Sequence, residues 1–79
     1  MTRKTKRALK DLEALPPALR QKAETLIKSL DAEPDVGHRL KGKLEGLRSI
    51  RLGRTHRIIY SSAPRVVVIT VRGRKDTYR

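Results

Sequence analysis

Two arginines, Arg51 and Arg57, flank the short glycine-containing stretch Gly53-Arg54-Thr55. A guanidinium presents planar, paired donors that match phosphate oxygens. Several of them held together can stabilise the charge that builds up when a phosphate is attacked. Arg54, Arg74 and Lys75 add to the same set, with His56, Tyr60 and Tyr78 as the groups able to move a proton or stack on a base. The plainer alternative is that these residues form the solvated face of charge-rich strands. Tyr60 sits between Ile59 and Ser61 and reads as core. Tyr78 has no apolar neighbours in sequence and is the stronger candidate of the two tyrosines.

Other chemistries lack their residues. There is no cysteine, which excludes disulfides and thiolate metal sites. No HExxH, P-loop or G-x-S-x-G motif occurs, and Gly42, Gly46 and Gly53 do not match a dinucleotide fingerprint. Neither a cofactor nor a metal is expected.

Charge points to the partner. The 79 residues hold 20 Lys+Arg against 8 Asp+Glu, a net of +12. Residues 1–35 contribute eight basic and six acidic residues, a net of +2. Residues 36–79 contribute twelve basic residues against Glu45 and Asp76, a net of +10. Self-repulsion on that scale destabilises a small domain and is relieved by a polyanion. RNA is the leading candidate. With two tyrosines and no Phe or Trp, a general single-strand binder that works by stacking is disfavoured. No apolar run approaches the ~20 residues that span a membrane, and the basic start carries no apolar signal region. The expected location is the cytoplasm.

A single domain over residues 1–79 must position these groups. Apolar residues at helical spacing, with Leu9, Leu12 and Leu15 among them, predict a helix over about 5–15, ended by Pro16-Pro17. Leu19, Ala23, Leu26, Ile27 and Leu30 predict a second over about 17–32, with Pro17 in its first turn. Residues 36–48 read as a basic linker. The period then falls to two, predicting strands over about 49–53, 56–61 and 65–72, with a three-residue hairpin loop at 53–55. The third strand is apolar on both faces and reads as central. The expectation is an α+β fold: an N-terminal helical hairpin packed on a small antiparallel sheet of three strands, or four with an N-terminal edge strand.

Several stretches together resemble the RelE/ParE family of bacterial toxins. They are Lys6-Arg7-Ala8-Leu9-Lys10-Asp11-Leu12 through Leu15-Pro16, Leu40-Lys41-Gly42 with Leu44-Glu45-Gly46-Leu47, Ile50-Arg51-Leu52-Gly53, His56-Arg57-Ile58-Ile59-Tyr60, and Arg74-Lys75-Asp76-Thr77-Tyr78-Arg79. The resemblance covers nearly the whole chain. It implies a toxin neutralised by an acidic antitoxin, and the expected assembly is a homodimer or a toxin–antitoxin hetero-oligomer. RelE-like members cut mRNA on the ribosome without a metal, by attack of the 2′-hydroxyl on the adjacent phosphate. ParE-like members poison DNA gyrase instead. A third reading is a weak or inactive member that only binds nucleic acid. The tail from Arg74 to Tyr78 looks more like the RNA-cleaving branch.

Carried over by position, the resemblance implies that Arg51 lies at the scissile region and Arg57 contacts the phosphate. It implies that Arg74 stabilises transition-state charge and Tyr78 holds the attacking nucleotide. Lys41, Lys43, Arg48, Arg54, Lys75 and Arg79 would contact mRNA and ribosomal RNA. Two departures stand out. Ser49 and Arg51 occupy positions where the best-known RelE enzyme carries lysines, and neither can act as a base. His56 is the local substitute. Only Met1-Thr2-Arg3-Lys4 precede the first matching stretch, where family members carry an apolar edge strand. The expectation is an exposed sheet edge covered by an antitoxin or a second copy.

Overall fold

The computed structural model describes residues 3–62 and 65–73. Helix α1 spans Lys6–Glu13. Thr5 caps it, its hydroxyl accepting from the Ala8 N–H at 3.1 Å. Ala8 and Leu12 are buried, but Leu9, expected in the apolar stripe, is 48% exposed. The helix stops three residues before Pro16, and the Arg20 side chain donates to the Glu13 carbonyl at 3.2 Å. Helix α2 spans Pro17–Ala32, with proline where no N–H is needed.

The strands are β1 (Arg3–Lys4), β2 (His38–Arg39), β3 (Leu47–Leu52), β4 (His56–Ser61) and β5 (Val67–Gly73), and a 3-10 turn at Gly42–Leu44 precedes β3. Their order is β1-β5-β4-β3-β2. The sheet therefore has five strands, and β4, not the third predicted strand, is central. It is also mixed, because β1 pairs with β5 in parallel while the other pairings are antiparallel. The two added strands are two residues long and polar. They are recruited by backbone pairing, so they carry no hydrophobic period.

Both helices cover one face of the sheet. Ala8, Leu12, Leu15, Ala23 and Ile27 pack with Leu52, Ile58, Val68 and Val71. A smaller cluster joins Leu30, Tyr60 and Val66, with Ile50 against both. Burial at ~25 cal/mol per Å2 of apolar surface is the main driving term for this thin core. Tyr60 ties it to the loop after α2. Its hydroxyl donates to the Pro34 carbonyl and accepts from the Gly37 N–H, both at 2.9 Å. Gly37 is required there, since a Cβ would lie 2.6 Å from the Tyr60 hydroxyl.

The edge beyond β5 is not open, contrary to expectation. The Arg3 N–H reaches the Val66 carbonyl at 3.2 Å and the Thr5 N–H reaches that of Val68 at 3.0 Å. The Thr5 hydroxyl donates to the Ile69 carbonyl at 2.6 Å. Asp11 Oδ2 then accepts from the Val71 N–H at 3.0 Å and the Thr70 hydroxyl at 2.6 Å. Two side chains thus finish what a two-residue strand begins, and no antitoxin or second copy is needed at these positions. Among the described residues no helix is long and apolar enough to cross a membrane.

Candidate nucleic-acid interface

The hairpin register sets the site. Leu52 pairs with His56 across the turn, which leaves the three-residue loop Gly53–Thr55 as expected. Gly53 has φ +64, a value that favours glycine. Ile50 pairs with Ile58, which pairs with Val71, and this row points at the helices. Alternation sends the next row to the opposite face. That row is Arg51, Arg57 and Arg72.

Three arginines therefore stand at paired positions on adjacent strands, whose backbones lie about 4.8 Å apart. Arg51 is exposed, and Arg57 and Arg72 are half-buried. No acidic residue occurs in β3, β4 or β5. Like charges directly opposite one another destabilise a sheet. An anion placed between them converts that repulsion into charge-assisted hydrogen bonds. The pair beneath, Ser49 and Ile59, is 4% and 7% exposed and forms the floor. Beside it lies a recess of about 300 Å3, lined by Gly37, His38, Ser49, Arg51 and Arg57 among others. That is at the small end of ligand-sized cavities.

The other predicted residues divide. Arg54 is exposed at the tip of the turn, beside the row. Lys41 and Lys43 are exposed near the 3-10 turn. Arg48 is placed differently: it donates to the carbonyls of Asp35 at 3.1 Å and Gly37 at 2.9 Å, and pairs with the Asp35 carboxylate at 3.4 Å. It braces the loop after α2 and is not free for RNA. His56 is also displaced from the expected place. Its partner across the hairpin is Leu52, a core residue, so its side chain stands on the opposite face from Arg57. Its Nδ1 lies 2.7 Å from the Thr55 hydroxyl. Arg74, Lys75, Tyr78 and Arg79 lie outside the described residues.

Two residues on this face escaped the sequence reading. Arg72 completes the arginine row, and His38 pairs with Ser49 and so shares its face. A bulge hid the first. Val68 and Val71, three residues apart, both face the helices because the pairing slips between Ile59 and Tyr60. Nothing in the linker marked the second as a strand residue. Among the described residues no group of three or more His, Cys, Asp or Glu is placed to hold a metal.

With this geometry, the chain belongs to the family described as the ParE toxin of type II toxin–antitoxin systems, whose model matches residues 3–78. Solved structures agree. A chain of the RelBE2 toxin–antitoxin complex of Mycobacterium tuberculosis is 33% identical with a TM-score of 0.83, over 94% of this chain and 96% of that one. The YoeB/ParE toxin of Agrobacterium tumefaciens is 27% identical with a TM-score of 0.79, over 91% and 95%. The isolated RelE toxin of E. coli shares the fold at 22% identity and a TM-score of 0.79, over 92% and 82%. No curated protein matches the sequence significantly.

Proposed function

We propose that this toxin is a ribosome-dependent mRNA endoribonuclease that works without a metal. The 2′-hydroxyl of one nucleotide attacks the phosphate that follows it, and the arginines hold that phosphate and its developing charge. The single observation that carries this reading is the row Arg51–Arg57–Arg72, in register on the face that no helix covers. Oriented charge of this kind acts most where charge develops in the transition state. Positioning the 2′-hydroxyl in line with the phosphate supplies the rest. Lys41, Lys43 and Arg54 extend the cationic surface that would follow the RNA backbone, as would Lys75 and Arg79. Arg74 and Tyr78 keep the roles that the resemblance implies.

The partner in this reading is an acidic antitoxin. RelB and YefM accompany the toxins in several of the similar structures. A chain of net charge +12 would meet such a partner by electrostatically steered association. A second reading, carried by the resemblance to ParE-like members, is inhibition of DNA gyrase with no nuclease chemistry. Controlled induction in a bacterial host, with new mRNA 5′ ends mapped against the reading frame, separates the two. Arrest with new ends inside translated codons supports RNA cleavage. Arrest with intact mRNA and broken or entangled DNA supports gyrase, and no arrest with soluble protein present leaves neither.

A further inference from the structure

The arginine row supplies charge stabilisation but no base. Every member of it is permanently protonated. His56, the candidate near it in sequence, stands on the other face of the sheet. The positions where the resemblance expects lysine hold Ser49 and Arg51. The site therefore needs a titratable group from another element.

Among the described residues, β2 brings one. His38 is the cross-strand partner of Ser49. Partners across an antiparallel pair share a face with Cβ atoms about 4.5–5.5 Å apart, and diagonal neighbours lie within about 7–8 Å. His38 is thus adjacent to Ser49 and diagonal to Arg51, and it lines the same recess as Arg51 and Arg57. Its side chain is exposed, open to an incoming nucleotide. We propose that His38 is the general base of this toxin, reaching in from the neighbouring strand to the place that a lysine on β3 would fill.

The step follows directly, and it rests on the RNA-cleaving reading. One ring nitrogen of neutral His38 takes the proton of the 2′-hydroxyl. Oxygen 2′ forms its bond to phosphorus, the bond from phosphorus to the 5′-oxygen breaks, and the departing oxygen takes a proton from water. The products are a 2′,3′-cyclic phosphate and a 5′-hydroxyl. The short, smaller side chain of Ser49 leaves room between His38 and the arginines.

The charged neighbours of His38 are Arg51 and Arg57 on the recess, Arg72 beyond them, Arg39 and Lys41 along its own segment, and Asp35, which is engaged by Arg48. The loop that carries His38 is pinned by Tyr60 at Gly37 and by Arg48, so the imidazole is presented from a fixed backbone.

The test is single-turnover cleavage of ribosome-bound mRNA from about pH 5 to 8, where imidazole changes charge. The unaltered chain, His38→Gln and His56→Gln are compared, with ribosome binding and Tm measured for each. The unaltered chain is expected to gain rate as pH rises and then level off. His38→Gln is expected to lose ~10²–10⁴-fold in rate and all of the rising limb, with ribosome binding and Tm retained. A rising limb that survives in His38→Gln at the unaltered rate overturns the proposal while leaving the RNA-cleaving reading intact. So does loss of that limb in His56→Gln alone. No cleavage by the unaltered chain at any pH overturns both.

Discussion

Arg57 and Arg72 stand directly opposite one another across β4 and β5, on the sheet face that no helix covers. With Arg51 on the other side of Arg57, they make a continuous cationic row. A sheet tolerates such a row only at a cost. The phosphate proposed to bind there would offset that cost, and the pairing of β3, β4 and β5 holds the three arginines in this register.

Replacing Arg72 should therefore separate function from stability. Arg72→Ala should lower cleavage by ~10²–10³-fold, the loss typical when one donor to a developing oxyanion is removed. The same change should leave stability unaltered or raise it by about 0.2–1 kcal/mol, since it removes a like-charge pairing. Cleavage rates and urea unfolding on one preparation check both halves.

Binding to RNA should depend steeply on salt. Each phosphate contact removed lowers the slope of log K against log salt by ~0.7 for a single strand. Arg51→Ala and Arg54→Ala should each reduce the slope by about that amount, whereas Arg48→Ala should leave it unchanged. Arg48 is engaged with Asp35 and Gly37, so its loss should appear as instability of the loop instead. Titrations with an unstructured oligonucleotide at several salt concentrations decide this.

Asp11 should matter more than its position on a helix surface suggests. Asp11→Ala leaves the Val71 N–H without its acceptor, at a cost of about 1–3 kcal/mol. Asp11→Asn keeps an acceptor oxygen and should lose less. Hydrogen exchange at the Val71 amide should quicken in Asp11→Ala before global unfolding does.

Tyr60 links the core to the loop that carries His38. Tyr60→Phe strips the Pro34 carbonyl and the Gly37 N–H of one partner, which should destabilise the chain by about 1–3 kcal/mol. Gly37→Ala should be similarly harmful, because its Cβ would sit 2.6 Å from the Tyr60 hydroxyl. If the loop positions the site, both variants should also lose cleavage rate beyond what their unfolded fraction explains.

The sequence revealed elements in proportion to how periodic they are. Both helices, the Gly53–Thr55 hairpin and its two strands announce themselves through apolar spacing and a glycine turn, so Arg51 opposite Arg57 could be foreseen. Arg3–Lys4 and His38–Arg39 could not, because they join the sheet through backbone bonds alone and present no apolar face. Arg72 was obscured by one extra residue in β5, which reverses the alternation between Val68 and Val71. His56 misled for a related reason: it follows the turn beside Arg57, and adjacent strand residues face opposite ways.

The most direct test of the central claim is single-turnover cleavage of ribosome-bound mRNA by the unaltered chain and by Arg57→Ala. The account predicts cuts inside codons by the unaltered chain. It predicts a ~10²–10³-fold slower rate for Arg57→Ala, with ribosome binding largely kept. An Arg57→Ala rate equal to that of the unaltered chain, or no cleavage by either, would contradict it.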